Sequence, residues 1–471
     1  MSLHLTVIIV YSGALILMGL WIGRRVRGSA DFFVAGRALG PGLIFATVLA
    51  ANIGAGSTVG AAGLGYRDGL SAWWWVGSAG IGTLLLAFWV GPRIREMAAK
   101  HGFYTVGDLL EHRYGVASRY VIMGSLWFGT LAVLAAQLIA LAAVLQAVVG
   151  APLWVGCVIG GVVMTTYFTA GGLVGAAWIN FIQLVVLLGA FMIAVPLALT
   201  GVGGWEGLAE SGAQVSGDYL AFWRGGASGW VLLPLIAPNF IVSPGLLQKA
   251  YGARSMSAVR WGIGLSAFAL FLFAFAPALL GMIARVHHPE LARPDLALPT
   301  LLVQDLPIVV GAIGLGALFM ADVSSADAAL FMLSTSFSQD FYRRFLKPEA
   351  SDRQVLTAAR LAAIGGGVVS TGLAVVSRSV VDVIGIFYSL VGVALFVPVL
   401  AGLYTGRAGA PEALASVIGG FSVGIAALVL LDAPLFGVFT GNLLGIIAAA
   451  VAFFVMFWVR ARSASRPHEV V

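Results

Sequence analysis

The amino-acid sequence predicts an all-α, polytopic membrane protein with about 13 transmembrane helices. Only 10% of its 471 residues are charged and 60% are hydrophobic, whereas soluble chains carry about 25% charged residues. The stretch from Tyr120 to Trp205 contains no Asp, Glu, Lys or Arg, although one span needs only about 20 apolar residues. The composition therefore excludes an ordinary soluble enzyme.

Apolar runs bounded by charged and turn residues predict the helices in order. Within the long uncharged stretch, Pro152 and the Gly171-Gly172 pair are expected to separate three helices, because proline and glycine disfavour a helix interior. The predicted spans cover roughly residues 4–22, 41–65, 71–92, 121–149, 153–170, 174–201, 229–249, 259–284, 307–340, 357–377, 381–406, 412–431 and 437–459.

The distribution of basic residues predicts the orientation. Arg24, Arg25 and Arg27 directly follow the first span and no Lys or Arg precedes it, which is the reverse of a cleavable signal peptide. With the N-terminus outside and the C-terminus in the cytoplasm, most of the 26 basic residues become cytoplasmic, as the positive-inside rule requires. The basic residues left outside are Arg67, Arg224, Arg285, Arg293 and Arg378. We therefore expect a multi-pass protein of the inner or plasma membrane.

Two spans carry polar, glycine-rich interruptions, at residues 50–58 and 238–245. A lipid-facing helix tolerates such backbone only where it lines a site. Each interruption lies in the first helix of a block of five spans, and five is odd, so the two blocks run in opposite senses across the membrane. Paired broken helices predict an inverted-repeat transporter with its site near the midplane. The predicted division is 1–39, an extra helix and cytoplasmic loop; 40–202, the first repeat; 203–228, an external loop; 229–406, the second repeat; and 407–471, two further helices and a tail.

Asp322 and Asp327 are the only acidic residues predicted well inside a span, and such residues are usually functional or paired. At about 100° per residue, Ser324 and Ser325 share a helix face with Ala321, and the two carboxylates flank this face. Hydroxyl oxygens, with carbonyls from the interrupted second span, suit a hard monovalent cation. The pattern alone leaves Na⁺, H⁺ and a structural role open, since serines also bond to their own helix.

Other kinds of chemistry find no support in the sequence. The six histidines lack metal-ligand spacing, the single cysteine Cys157 is expected to pack as a small apolar residue, and the basic residues form no nucleic-acid patch. Asp322 and Asp327 point about 140° apart on one helix, which argues against a protease pair. We expect no catalytic residue, no nucleic acid and no obligate protein partner.

A series of motifs runs in order along about residues 5–460. It consists of FVAGR at 33–37, AANI at 50–53, YTVGDLLEHRYG at 104–115, GGL at 171–173, Trp178, Gln183, QK at 248–249, ARS at 253–255, the segment 321–342 ending in QDFY, and PVLAGLY at 398–404. Together these motifs resemble the sodium:solute symporter family. The resemblance implies a LeuT-like core of ten helices, with one extra span before it and two after, and sodium-coupled uptake of a small solute.

The resemblance also implies an ion site, with Na⁺ as the coupling ion and no other cofactor. Its ligands would be the main-chain oxygens of Ala50, Ile53 and Ala321 and the hydroxyls of Ser324 and Ser325. Asp327, Asp322 and Asn180 are expected to tune this site. Members proposed to use a second sodium ion often carry Asp where this chain has Asn180, so one Na⁺ per solute is expected.

The solute pocket is expected among polar and aromatic groups near the midplane. The candidates are Asn52, Ser57, Trp75, Gln137, Asn239, Ser243 and Tyr388. With Lys249 assigned to the cytoplasmic side, no basic residue is expected there, which favours a small neutral or zwitterionic solute over a strongly anionic one. A proton-coupled transporter, a solute channel or a sensor on the same scaffold remains an alternative.

Overall fold

A computed structural model describes residues 3–23, 39–103, 105–225, 228–377, 379–431 and 440–464. Every named element in these residues is helical. Ten helical stretches of these residues, some of which join consecutive elements, are long and apolar enough to cross a membrane. The all-α membrane fold is therefore confirmed. The basic segment after the first span, with the motif at 33–37, lies outside the described residues, as do Tyr104 and Arg378.

The helices of the first half of the chain include one interrupted span, formed by the second and third of them. They are α1 Leu3–Gly23, α2 Pro41–Asn52, α3 Ala61–Asp68, α4 Trp73–Leu85, α5 Gly91–His101, α6 Val106–Tyr114, α7 Val116–Val149 and α8 Leu153–Gly201. A π-helical turn at Gly56–Gly60 precedes α3, and another at Leu86–Val90 joins α4 to α5.

The second half contains another interrupted span. Its helices are α9 Gly204–Val215, α10 Leu233–Val242, α11 Pro244–Gly252, α12 Met256–Phe273, α13 Phe275–His287, α14 Ala297–Gln304, α15 Ile308–Thr335, α16 Asp352–Val376, α17 Val380–Tyr404, α18 Ala410–Leu430 and α19 Gly441–Ala464. A π-helical segment, Ser336–Leu346, continues α15. Ser351 and Gln354 form a capping box that begins α16.

The predicted break at Gly171-Gly172 is wrong, because α8 runs without interruption over 49 residues, or about 73 Å. Glycine inside a helix costs only about 1 kcal/mol relative to alanine, and apolar residues on both sides of the pair continue the helical pattern. The break at Pro152, by contrast, separates α7 from α8. The count of 13 spans is therefore not confirmed.

Both predicted interruptions are present as helix breaks. After α2 ends at Asn52, Ile53 has φ −105° and ψ 107°, which is extended backbone. After α10 ends at Val242, Ser243 has φ −53° and ψ 122°, and Pro244 begins α11. Proline disfavours helical backbone in the residue before it, which accounts for the position of the second break.

The first interrupted span packs tightly against α12 and α13 through small residues. A Cβ on Gly262 would lie 2.7 Å from the Ile44 side chain, and one on Gly281 would lie 2.0 Å from the Ala62 carbonyl oxygen. Ser266 also donates a hydrogen bond to the Phe45 carbonyl at 2.9 Å. Such close approach of backbones is typical of membrane helix packing, and it joins the two blocks around α2 and α3.

Candidate ion and solute site

Helix α15 lies directly beside the break in α2. The Ser325 hydroxyl donates to the Ile53 carbonyl oxygen at 3.2 Å, and the Ser324 hydroxyl donates to the Ala321 carbonyl oxygen at 2.9 Å. These four residues are buried, as is Ala50 one turn before Ile53. The structure thus brings Ser325 of α15 against Ile53 at the break. We call the five predicted ligands, Ala50, Ile53, Ala321, Ser324 and Ser325, the ion cluster.

The break leaves main-chain carbonyls of α2 without their helical donors. In an unbroken helix the Gly54 N–H would donate to the Ala50 carbonyl and the Ala55 N–H to that of Ala51. Instead, Gly54 donates to the Ser57 hydroxyl at 2.9 Å and Ala55 donates to the Gln137 side-chain oxygen at 2.9 Å. The Ala50 carbonyl therefore becomes available to another partner, as an ion ligand requires.

Gly54 permits the contact between the two helices. A Cβ at this position would lie 2.2 Å from Ser325 Oγ and 2.6 Å from Ser325 Cβ. Only glycine lets the backbone approach a neighbouring side chain this closely. The short distance between the helix break and Ser325 therefore depends on Gly54, which has no side chain.

A cavity of about 120 Å³ lies between the two helix breaks. Six of the seven predicted pocket residues line it: Asn52, Ser57, Trp75, Gln137, Ser243 and Tyr388. Ser325 lines it as well, so the ion cluster and the cavity share part of one wall. The ring of Tyr388 lies 5.7 Å from that of Trp75 and 5.9 Å from that of Phe240, measured between centroids.

Some of these polar side chains also form hydrogen bonds with main-chain groups at the helix break. Trp75 Nε1 donates to the Gly56 carbonyl at 2.8 Å, and Gln137 accepts from Ala55 as described above. Asn52 Nδ2 lies 3.4 Å from Thr83 Oγ1. Because buried backbone groups need partners, Trp75 and Gln137 hold the break in shape as well as facing the cavity.

One predicted pocket residue, Asn239, does not join this arrangement. Asn239 is not among the residues that line the cavity; its Nδ2 donates to the Leu235 carbonyl at 2.7 Å. The tight approach of α17 accounts for this position, because a Cβ on Gly392 would lie 3.3 Å from Asn239 Nδ2. The side chain of Asn180 lies outside the described part of the structure.

Both intramembrane aspartates are buried in α15. Asp327 is 4% exposed and Asp322 is 0% exposed. Neither carboxylate oxygen of Asp322 has a hydrogen-bond partner among the described residues. The expectation that these residues tune an ion site stays a prediction.

Sequence reasoning missed Lys249 as a cavity residue. Lys249 lines the cavity together with Gly245 and Leu246, so the expectation that no basic residue lies at the solute pocket is wrong. At about 100° per residue, these residues at positions i, i+1 and i+4 fall within about 100° of one another on α11. That spacing, directly after a predicted helix break, was the available signal.

Comparisons with known proteins match this chain to one family of transporters. Residues 32–420 match the family described as the sodium:solute symporter family. The sodium/glucose cotransporter of Vibrio parahaemolyticus is 25% identical over 418 residues, which cover 77% of this chain and 73% of the relative. High-affinity choline transporter 1 of Caenorhabditis elegans is 25% identical over 460 residues, which cover 90% and 77%.

A similar fold occurs among solved structures. A Na⁺-coupled sialic acid symporter, in a substrate-bound outward-open state, superposes with a TM-score of 0.81. The match covers 97% of this chain and 98% of that one, at 21% sequence identity. At this identity the likeness establishes the fold, which is the predicted LeuT-like arrangement.

Proposed function

We propose, from the premise that this chain belongs to the sodium:solute symporter family, that it imports a small organic solute together with Na⁺. The resemblance inferred from the motifs is thereby confirmed. The relatives named above are transporters and not enzymes. Na⁺ is accordingly the coupling ion, while the ligand residues, the solute and the orientation are parts of the proposal.

The observation that carries the proposal is the 3.2 Å contact between Ser325 Oγ and the Ile53 carbonyl oxygen. In the proposed site, Na⁺ binds both of these oxygens together with the Ser324 hydroxyl and the carbonyls of Ala50 and Ala321. Main-chain carbonyls beside a broken membrane helix are the usual coordination for such an ion. The direct hydrogen bond would then be replaced by two oxygen–ion contacts.

This arrangement couples the ion to the solute through α2. Na⁺ binding from outside would tie the broken helix to α15 and would organise the adjacent cavity, which shares Ser325 with the ion cluster. Release of the ion into the cytoplasm would loosen that connection and let the solute leave. The membrane potential alone supplies about 2.3 kcal/mol per charge for each 100 mV, and one Na⁺ per solute is proposed.

The global arrangement follows from the same reasoning. Residues 40–202 and 229–406 would form the two inverted repeats, and alternating access would be relative motion of these blocks around the site. The N-terminus would lie outside and the C-terminus in the cytoplasm, in an inner or plasma membrane. Among the described residues, the cavity wall contains aromatic rings, hydroxyls, amides and the Lys249 ammonium but no carboxylate. The absence of a carboxylate argues against a cationic solute, and the proposed solute is neutral or zwitterionic.

The test is uptake into proteoliposomes that contain the purified chain. Radiolabelled solutes would be presented with an inward Na⁺ gradient or with K⁺ in its place. We expect saturable accumulation only with Na⁺. Acceleration by a proton gradient alone would instead support the proton-coupled alternative, and flux that neither saturates nor depends on a gradient would support a channel.

A further inference from the structure

Lys249 has an unusual position for a basic residue. It lies in the second half of the broken span, α11, and lines the central cavity. Its ammonium has one hydrogen-bond contact among the described residues, the Gly245 carbonyl oxygen at 3.4 Å. No carboxylate of those residues lies within ion-pair distance of it. The cavity wall thus contains a positive charge without a counter-charge.

Two other basic residues in the described part of the chain are paired with carboxylates. Arg119 lies 3.3 Å from Asp108 and also contacts Glu111. Arg460 lies 2.8 Å from Glu412, which is itself buried. A charge removed from water is costly unless it is paired. Half-buried Lys249 has no such carboxylate among the described residues, and it lies at a cavity where a solute could supply one.

The backbone around Lys249 adds to the positive character of this wall. Helix α11 begins at Pro244, and Ser243, Gly245 and Leu246 line the same cavity. The N-terminal end of a helix carries a partial positive charge. Lys249, one turn further on, therefore extends a region of the cavity that favours an anionic group.

Another part of the cavity wall is aromatic and suits an apolar or cationic group. Trp75, Phe240, Phe387 and Tyr388 line the cavity, and the Phe387 and Tyr388 rings lie 5.7 Å apart. Aromatic faces bind apolar groups and also attract cations. The cavity thus combines a basic wall with an aromatic one.

From this arrangement we propose that Lys249 binds a carboxylate of the transported solute. The inference rests on the proposed symport and narrows its solute class. Solutes with a carboxylate, zwitterions among them, would bind through Lys249, and their uncharged or cationic part would pack against the aromatic rings. Neutral analogues that lack the carboxylate would leave the ammonium unpaired and would be rejected.

The experiment compares matched probes with the purified chain in proteoliposomes. The pairs are L-proline with L-prolinamide, glycine betaine with choline, and L-lactate with 1,2-propanediol. We expect Na⁺-dependent uptake only for a member with a carboxylate. For that solute, Lys249→Met should raise KM at least about tenfold, which corresponds to about 1.4 kcal/mol, and should leave the Na⁺ requirement unchanged.

Two further variants give the controls. Lys249→Arg keeps the charge and should retain most of the affinity. Lys100→Met removes a charge from an exposed position in α5 and should leave KM unchanged. If Lys249→Met does not fold, Lys249→Gln replaces it. The difference in uptake between the two solutes of each pair is measured on the unaltered chain and does not depend on any variant.

The outcomes separate the two proposals. Na⁺-dependent uptake of a neutral member as fast as its carboxylate partner, or an unchanged KM in Lys249→Met, would overturn the carboxylate assignment and leave the symport intact. Uptake of none of the carboxylates would also overturn it. Carboxylate uptake that is impaired in Lys249→Met but indifferent to Na⁺ would overturn the symport alone.

Discussion

At the residue scale, the proposed ion site depends on two serine hydroxyls and on a glycine that lets them approach the broken helix. Ser325 reaches across to Ile53, whereas Ser324 bonds within α15. Gly54 has no side chain to interfere with this contact. The serines and the glycine can therefore be tested separately.

The serine hydroxyls should determine the Na⁺ requirement. Ser324→Ala and Ser325→Ala each remove one oxygen ligand, for which a loss of about 1–3 kcal/mol is expected. The Na⁺ concentration for half-maximal uptake should therefore rise about fivefold or more, with little change in solute affinity at saturating Na⁺. Na⁺-titrated uptake in proteoliposomes measures both quantities.

Ser334→Ala is the matched control for these variants. Ser334 is also buried in α15 and donates to the carbonyl three residues earlier, that of Phe331, at 3.0 Å, but it lies outside the ion cluster. Its replacement should leave the Na⁺ requirement unchanged. A normal Na⁺ requirement in both Ser324→Ala and Ser325→Ala would contradict the proposed ligands.

Gly54→Ala should impair transport by steric displacement. The added Cβ would lie 2.2 Å from Ser325 Oγ, and relief of such overlap costs about 1–3 kcal/mol. We expect Na⁺-dependent uptake to fall about tenfold or more. Gly42→Ala, in the same helix α2 but with nothing within 4 Å of its Cβ, should behave as the unaltered chain. Equal activity of the two variants would show that the close approach is unnecessary.

At the element scale, residues 203–225 of the segment predicted as an external loop pack against the end of α3, and we call them the cover. The cover contains α9, and Tyr219 beyond that helix donates to the carbonyls of Gly65 at 2.8 Å and Tyr66 at 3.1 Å. In return, the Leu70 N–H donates to the Tyr219 carbonyl at 3.0 Å. Burial raises the pKa of the Tyr219 hydroxyl above its usual range, so it remains a neutral donor. The cover holds the end of α3 in place.

Gly69→Ala should destabilise this connection. Gly69 has φ +73°, and a Cβ would lie 1.9 Å from the Tyr219 carbonyl oxygen. Gly102 has a similar φ of +75° but nothing within 4 Å, so Gly102→Ala carries the backbone strain of about 1–2 kcal/mol without the overlap. We expect thermal unfolding in detergent at a clearly lower temperature for Gly69→Ala than for Gly102→Ala. Equal melting temperatures would argue against a packed cover.

At the scale of the whole molecule, the orientation is open to direct labelling. Cys157 is the only cysteine and is fully buried, so single cysteines can be introduced with little background. Gln214→Cys in α9 and Glu349→Cys before α16 are both at exposed positions. In intact cells, a membrane-impermeant maleimide should label only the Gln214 variant. Labelling of the Glu349 variant without permeabilisation would contradict a cytoplasmic position for that loop.

Much of this molecule follows from local properties of its sequence. The absence of charge between Tyr120 and Trp205 predicts membrane helices wherever it occurs, because the cost of burying charge in lipid does not depend on the fold. Both helix breaks were predictable for a similar reason, since proline and clustered glycines act on their own backbone. The hydroxyl pair of Ser324 and Ser325 was also visible as one helix face.

Other features depend on which residues meet in space. The continuity of α8 through Gly171 could not be predicted from the glycine pair. The free-energy cost of glycine in a helix is small, and the helical residues on both sides outweigh it. Asn239 matched the sequence criteria for a pocket residue, but α17 packs against it away from the cavity.

The sequence by itself determined the class of protein and the positions of the two breaks, because helix formation and the cost of buried charge are local, and its resemblance to the family implied the residues proposed to bind the ion. Only the tertiary structure decided that Ser325 meets Ile53 and that Lys249 faces the cavity. Those contacts arise from the packing of α11 and α15 around α2, which joins residues far apart in the chain.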